Sequence, residues 1–163
     1  MSAATAVLNP YAKYLGEQEP LAVLAATPGK LKGLAEKIGP GRIAAAPAAD
    51  KWSAREILCH LADCEIAFGF RLRQTLAEDN HTIQPFDQDK WSAPYANLSA
   101  DEALAAFTAA RRWNHLLMDG ALEEFSEKAV THPERGSMTF ATIVETMAGH
   151  DLNHLAQMER IAG

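Results

Sequence analysis

Three histidines of this sequence are spaced as ligands of a metal ion would be. His150 and His154 are four residues apart, so on a helix they lie on one face, one turn apart. His60 falls on the apolar stripe of another helical segment, the stripe that packs into a core. Neutral imidazole is the commonest metal ligand among side chains, and three protein ligands leave a position open for water or a substrate. The sequence therefore predicts a divalent-metal site formed by His60, His150 and His154.

Four helices are expected to position these histidines. They cover about Pro20–Ile38, Ser53–Glu78, Ser99–Gly120 and Thr139–Ile161. Ser53 and Ser99 are each followed three residues later by a glutamate, which is the spacing of a capping box at the start of a helix. Gly120 is typical of a helix end, and Thr27-Pro28-Gly29 predicts an interruption of the first helix.

The connection over residues 79–98 predicts the topology. About 20 extended residues span roughly 66 Å, which is ample to return along a helix of about 38 Å. We therefore predict an all-α fold, a four-helix bundle with a long crossover between its second and third helices. The second and fourth helices then run antiparallel, which brings His60 to the level of His150 and His154. Residues 1–163 are expected to form one domain, with residues 1–18 as an N-terminal extension.

The composition excludes several classes of function. The net charge is -6 over 163 residues, so the basic surface that nucleic-acid binding requires is absent. No stretch approaches the roughly 20 apolar residues of a membrane span, and residues 1–11 lack the pattern of a secretion signal. Cys59 and Cys64 point about 140° apart on one helix, too divergent for a disulfide, so reduced thiols and a cytoplasmic location are expected.

Four stretches carry a resemblance to a known family. Residues 52–65 (WSAREILCHLADCE) and 149–157 (GHDLNHLAQ) resemble the DinB-like superfamily. Residues 82–91 (TIQPFDQDKW) and 132–136 (HPERG) are similar to its YfiT-type members, which are described as metal-dependent hydrolases and as bacillithiol transferases. The resemblance covers residues 50–157 and implies a four-helix bundle with long connections that is often a homodimer.

The same resemblance implies a function. The family's three-histidine site, which holds nickel or zinc, maps onto His60, His150 and His154. The chain is thus expected to be a metal-dependent enzyme acting on a small molecule, either transferring a low-molecular-weight thiol such as bacillithiol to an electrophile or hydrolysing its substrate. Two alternatives stay open: a non-catalytic stress-response bundle that binds metal or a small ligand, and a core in which the histidines are hydrogen-bonded without metal.

Three further residues of the second helix are candidates for the site. Arg71 faces inward by periodicity and is expected either to pair with a carboxylate or to bind an anionic group of the substrate, since an unpaired buried guanidinium is costly. Asp63 is expected either to orient an imidazole through a hydrogen bond or to remain on the helix surface. Cys64 lies one turn from His60, within reach of the metal, and is interpreted as a small core residue.

The crossover contains three residues that could cover the site. Phe86, Asp87 and Trp91 are predicted to form a lid over the open coordination position, because long connections in compact domains are commonly functional. The alternative for Trp91 is that its indole plugs the end of the bundle.

Overall fold

The computed structural model describes residues 8–163, most of which are helical. The helices are α1 (Ala12–Leu15), α2 (Pro20–Ile38), α3 (Ala54–Ala77), α4 (Gln88–Ser92), α5 (Ala100–Phe125) and α6 (Phe140–Ala162). One 3-10 turn covers Tyr95–Asn97, and three short strands are β1 (His81–Thr82), β2 (Ala129–His132) and β3 (Gly136–Thr139). Residues 1–7, which belong to the predicted N-terminal extension and to the segment expected to lack a secretion signal, lie outside the described residues.

The long helices α2, α3, α5 and α6 form the four-helix bundle that the sequence predicts. α3 and α5 run in the same direction, because Glu65 contacts Arg111 and, further along both helices, Arg73 contacts Asn114. A parallel pair requires a connection that returns along the helix. The predicted crossover over residues 79–98 is therefore confirmed.

α6 lies antiparallel to α3, as the crossover predicts. The ring centroid of His60 is 4.8 Å from that of His154, while the ring of Phe68, two turns later in α3, is 6.1 Å from that of His150, one turn earlier in α6. The two helices that carry the predicted ligands therefore face each other.

No helix within residues 8–163 is long and apolar enough to cross a membrane.

The long helices α3, α5 and α6 begin at hydrogen-bonded caps. The Ser53 hydroxyl accepts from the backbone N–H of Glu56, whose carboxylate accepts from the N–H of Ser53, so the predicted capping box is present. The hydroxyl of Ser99 accepts from the N–H of Glu102, and Thr139 caps α6 in the same way. Caps of this kind each contribute about 1 kcal/mol to stability.

α2 continues through Pro28, where the sequence predicts an interruption. Proline has no N–H, so the carbonyl of Leu24 loses the donor that a regular helix would give it. A guanidinium N–H of Arg111 donates to that carbonyl at 3.2 Å, and the hydroxyl of Thr27 donates to the Val23 carbonyl at 2.9 Å. The helix is therefore kept intact by a partner from α5 that the local sequence does not reveal.

The prediction that Gly120 ends the third helix is wrong, because α5 continues to Phe125. The apolar face persists beyond the glycine, with Ala121 buried, and this burial outweighs the low helix propensity of glycine.

In the connection that follows, β2 and β3 pair antiparallel, and β1 of the crossover pairs parallel with β2. The periodicity does not predict this small sheet, which places Val130 and Met138 in the core.

Candidate metal centre

The three histidines predicted as ligands lie together, with ring centroids 4.5–5.2 Å apart, and the Nε2 atom of His150 marks the point where they meet. α3 presents His60, and α6 presents His150 and His154 from successive turns. The Nε2 atom of His150 is 3.1 Å from that of His60 and 3.2 Å from that of His154. Two nitrogens bound about 2.0–2.1 Å from one tetrahedral zinc ion lie ~3.3 Å apart. The spacing and the donor type therefore fit a divalent transition-metal ion.

Burial keeps all three imidazoles neutral. His60 is 1 % exposed, His150 5 % and His154 6 %. Desolvation, and next the charge of His154, lower the pKa of His60 to about 3. Desolvation also lowers the pKa of His150 far below its ordinary value, and it lowers the pKa of His154 against the opposing effects of the Gln157 hydrogen bond and the Asp151 charge. Neutral imidazole is the form that binds a metal, so the rings can accept an ion at neutral pH.

The metal-free protein is expected to lose stability as the pH falls below 6.5, the ordinary pKa of histidine. An unfolded histidine takes up a proton near that pH, whereas folded His60 does so only near pH 3. Between these values the unfolded state binds more protons, so the free energy of unfolding falls by about 1.4 kcal/mol per pH unit for each such histidine. Urea unfolding at a series of pH values measures the slope. A His60→Gln variant should show a shallower slope, and equal slopes would contradict the depressed pKa.

Gln157 makes the contact with an imidazole that is one of the two roles expected of Asp63. Its Oε1 atom lies one turn further along α6, 3.0 Å from Nδ1 of His154. An Nδ1–H that donates to this oxygen leaves Nε2 unprotonated and directed at the convergence point. The carboxylate of Asp63 accepts from the hydroxyl of Tyr95 at 2.7 Å and, within residues 8–163, makes no hydrogen bond to an imidazole. Asp63 therefore anchors the crossover to α3.

The thiol of Cys64 is a fourth potential ligand beside the convergence point. Its Sγ atom is 3.4 Å from Nε2 of His60 and 3.9 Å from Nε2 of His150. One ligand atom from each of these three residues lies within 4.8 Å of the others; His154 is outside this group and meets it through its 3.2 Å contact with His150. Burial raises the pKa of the thiol, so the metal-free protein carries it protonated at neutral pH. Cys64 is thus a core residue that also borders the site.

Two aromatic rings that the sequence does not single out contact the histidines. The centroid of the Trp52 ring lies 4.8 Å from that of His60, and the Tyr11 ring is nearly perpendicular to that of His150, with their centroids 5.2 Å apart. Tyr11 can approach α6 because Gly149 has no side chain: a Cβ there would lie 2.6 Å from the Tyr11 carbonyl oxygen. The glycine before the first ligand of α6 therefore lets the N-terminal segment cover one side of the centre.

Gly149→Ala is expected to destabilise the protein by roughly 1–3 kcal/mol, because the added methyl group would overlap the backbone of Tyr11. Gly120→Ala is the matched control, since Gly120 also lies within a long helix but has no neighbouring atom within 4 Å of its Cβ position. That substitution should stabilise α5 by up to about 1 kcal/mol. Denaturant unfolding measures both effects, and equal destabilisation of the two variants would contradict the packing of Tyr11 on α6.

A cleft of about 690 Å³ gives access to His154. Tyr11 and Trp52 line it beside the histidine, and Gln88 and Asp89 of α4 also contribute to its walls. The crossover therefore borders the approach to the metal centre, and a small molecule can reach the imidazole of His154 through this cleft.

The predicted lid residues lie in α4 or directly before it, and the first two residues of this helix, Gln88 and Asp89, line the cleft. Asp87 caps α4 by accepting from the backbone N–H of Lys90 at 3.1 Å. The ring centroids of Phe86 and Trp91 are 4.5 Å apart, and Trp91 is 40 % exposed. The indole thus packs on Phe86 at the surface of the crossover, and the lid and the plug both stay predictions.

Arg71 has no carboxylate partner within the described chain. One guanidinium N–H donates to a backbone carbonyl of the crossover at 3.3 Å, and the guanidinium carbon lies 5.5 Å from the ring centroids of both Phe68 and Phe86. Burial, and next the charges of Arg135 and Arg71, lower the pKa of His132, so both arginines lie near that ring. Of the two roles expected for Arg71, carboxylate pairing is absent from residues 8–163, and anion binding stays a prediction.

A buried ion cluster, which the sequence analysis does not predict, joins α3 and α6 to α5. The guanidinium of Arg111 donates to Asp151 at 2.5 Å and to Glu65 at 2.7 Å, and none of the three side chains is more than 3 % exposed. Asn114 donates to the other carboxylate oxygen of Glu65 at 2.9 Å. The available signal is periodicity: Arg111 follows buried Phe107 by one turn on the apolar stripe of α5, where an arginine must find buried partners.

Two curated bacterial proteins are similar to this chain in sequence. The chain is 32 % identical over 109 residues to "Putative metal-dependent hydrolase OB0782" of Oceanobacillus iheyensis, a match that covers 66 % of this chain and 63 % of that protein. It is 31 % identical over 109 residues to a protein of Bacillus cereus with the same description, of which 62 % is covered. The chain therefore spans less than two thirds of the length of these curated relatives.

A solved structure and a family model extend the comparison. YfiT from Bacillus subtilis, described as a probable metal-dependent hydrolase with an unusual four-helix bundle topology, matches with a TM-score of 0.76 at 21 % identity over 99 % of this chain and 91 % of that chain. At this identity the likeness is one of fold. The model of the DinB superfamily matches residues 24–158, a range that includes all three convergent histidines. This chain belongs to the DinB superfamily.

Proposed function

We propose that this chain is a metal-dependent enzyme in which His60, His150 and His154 bind one nickel or zinc ion, and that it transfers a low-molecular-weight thiol to an electrophile. The observation that supports this proposal is the contact of the buried Nε2 atom of His150 with those of His60, at 3.1 Å, and His154, at 3.2 Å. The description of the curated relatives as metal-dependent supports the same class of activity.

The residues around the centre are suited to holding such an ion. When bound, a divalent ion supplies Lewis acidity, which lowers the pKa of a thiol or a water molecule that enters its open position. Gln157 holds the Nδ1 proton of His154 through a 3.0 Å contact, and Trp52 covers the ring of His60. The cleft beside His154 offers a path for a small molecule.

The proposed thiol carries a carboxylate, which Arg71 would bind. This arginine has no ion-pair partner among the described residues, and the rings of Phe68 and Phe86 flank its guanidinium. A partly buried guanidinium in such a position forms strong, charge-assisted hydrogen bonds with a carboxylate. Its hydrogen bond to the carbonyl of Gln84 places it beside the crossover, four residues before Gln88 of α4, which lines the cleft.

Hydrolysis of a small molecule is the second candidate, because both curated relatives are described as metal-dependent hydrolases. The two reactions use the same centre and differ in the second reactant, which is a thiol in one and water in the other. An assay with and without thiol therefore separates them.

The test is turnover by the metal-loaded protein, purified without chelator or affinity tag. Zinc- or nickel-loaded protein is expected to conjugate a carboxylate-bearing thiol to an aryl halide, and His154→Ala to lose both ion and turnover. Arg71→Gln should raise the KM for that thiol about tenfold and leave the KM for 2-mercaptoethanol, which has no carboxylate, unchanged. Metal-dependent ester or amide hydrolysis without thiol conjugation would assign a hydrolase. Metal binding with neither activity would assign a binding protein.

We also propose that two copies of the chain form a homodimer through an apolar patch on α3 and α5. The patch consists of Ile66, Phe70, Trp113 and Leu116, each at least 60 % exposed. α3 and α5 run parallel within one copy. A two-fold axis through the patch would place them against α3 and α5 of the second copy, which run in the opposite direction, as an isologous interface requires. Light scattering is expected to give a dimer for the wild-type chain and a monomer for Trp113→Glu, and a monomeric wild type would contradict the proposal.

A cytoplasmic location is proposed on the basis of the cysteines. Cys59 and Cys64 are both free and buried. Reduced thiols persist in the cytoplasm, where disulfides are rare. Fractionation of the native host would contradict this location if the chain were recovered outside the cytoplasm.

A further inference from the structure

The ion cluster of Glu65, Arg111 and Asp151 carries one negative charge in excess. Arg111 donates through Nη2 to Glu65 at 2.7 Å and through Nη1 to Asp151 at 2.5 Å. Within residues 8–163 neither carboxylate forms another ion pair, and all three side chains are at most 3 % exposed. One guanidinium cannot neutralise two carboxylates, so these three side chains carry a net charge of -1 inside the bundle, and the half-buried Arg73 reaches them through Asn114 without contacting a carboxylate.

This excess charge lies beside the metal centre. Asp151 directly follows His150 in α6, and the charge of its carboxylate acts on the imidazole of His154, favouring positive charge there. Glu65 directly follows Cys64, whose sulfur is 3.9 Å from Nε2 of His150. Both helices that supply ligands therefore also supply a carboxylate, and Arg111 links these carboxylates from α5. Buried charges at such short range are screened little by salt.

A divalent ion bound by three neutral imidazoles brings two uncompensated positive charges into a dry interior, which is costly without a counter-charge. We propose that the Glu65–Arg111–Asp151 cluster is the counter-charge of the metal centre and that it favours a divalent over a monovalent ion. This role rests on the metal site of the proposed function. The three residues of the cluster act on the ion through their charge and are not its ligands.

Glu65→Gln removes the excess charge, and the double variant Glu65→Gln/Asn114→Asp restores it on the neighbouring side chain. In the double variant the new carboxylate can accept from the glutamine amide and still accept from Arg73, which donates to Asn114 at 2.7 Å in the native chain. Zinc titration is expected to show roughly tenfold weaker binding for Glu65→Gln. The double variant should recover to within about threefold of the native affinity.

The Cu²⁺/Cu⁺ reduction potential of the copper-loaded protein measures the effect of the cluster's charge on the bound ion. An electrostatic effect acts twice as strongly on Cu²⁺ as on Cu⁺, so a roughly tenfold loss of affinity for the divalent ion accompanies a roughly threefold loss for the monovalent ion. Glu65→Gln should therefore raise the potential of bound copper by about 30 mV, because tenfold corresponds to about 59 mV for one electron. All proteins in this measurement carry Cys64→Ser, which removes the thiol that Cu²⁺ would oxidise. A disturbance of shape can also move the potential, because Cu⁺ and Cu²⁺ prefer different geometries, but the double variant, which restores the charge, would not reverse it.

Weaker zinc binding together with a raised copper potential, both reversed in the double variant, supports the counter-charge. Unchanged zinc binding, an unchanged potential, or shifts that the double variant does not reverse overturn the counter-charge and leave the proposed function standing. Failure of the wild-type chain to bind either zinc or nickel overturns both. If Glu65→Gln does not fold, Asp151→Asn removes the same unit of charge from the other helix, and it is expected to give the same two shifts.

Discussion

A His150→Ala variant is expected to bind nickel or zinc more than about 100-fold more weakly than the wild-type chain. His150 is the central ligand, because its Nε2 atom is 3.1 Å from that of His60 and 3.2 Å from that of His154. Residues that only support a metal ligand are typically worth about 10- to 100-fold in affinity, so the loss of a ligand costs more. Competition with a chromophoric chelator measures the affinity, and turnover should fall with it.

His115→Ala is the control for this loss. His115 lies in α5, and its Nε2 atom is 3.2 Å from the Leu21 carbonyl, so its replacement leaves the ligand set intact. Metal affinity of this variant should match that of the wild type. Equal affinity of His150→Ala and the wild-type chain would refute the ligand set, and absence of binding by the wild-type chain would favour a histidine core without metal.

Arg111→Ala is the substitution with the largest expected cost in stability. It leaves the carboxylates of Glu65 and Asp151 buried without a cation and the carbonyl of Leu24 without a donor. Removing one member of a buried ion cluster typically costs about 3–5 kcal/mol, because the remaining charges stay desolvated. Denaturant unfolding is expected to show a decrease of this size in the free energy of unfolding.

The neighbouring arginine provides a matched control. Arg112 is exposed, so Arg112→Ala should change the free energy of unfolding by no more than about 0.5 kcal/mol. Similar small losses for Arg111→Ala and Arg112→Ala would show that the carboxylates of the cluster do not depend on the guanidinium, and this would contradict its assigned role in the bundle.

The long helices could be predicted because the signals that begin them are local. Ser53 and Ser99 each cap a helix within four residues of chain, and Thr139 does the same for α6. The inward direction of His60 follows from periodicity within one helix, and so does that of the pair on α6. The length of the connection over residues 79–98 then determines which helices run parallel.

Features that depend on distant partners could not be predicted in this way. Pro28 remains inside α2 because Arg111, from another helix, donates to the carbonyl that the proline leaves free. α5 continues beyond Gly120 because the residues after it pack into the core. The strands are two to four residues long, too short to show a period, and β1 pairs with β2 across a long separation in sequence.

The same limit applies to the metal centre. Asp63 follows His60 by three residues, and Gln157 follows His154 by three. Spacing alone therefore predicts equally well that either side chain orients the imidazole before it. The outcome is decided by Tyr95, whose hydroxyl donates to Asp63 at 2.7 Å, whereas Gln157 has only the His154 ring as its partner among the described side chains. The residues that converge are predictable from periodicity, and the contacts between them depend on competition from distant segments.

X-ray absorption at the metal edge of the zinc- or nickel-loaded chain tests most directly whether three imidazoles hold one divalent ion. We predict one ion per chain, with three imidazole nitrogens at about 2.0–2.1 Å and the outer scattering of their rings. An ion surrounded by oxygen atoms alone, or by fewer than two imidazoles, would contradict the assignment of His60, His150 and His154 as its ligands.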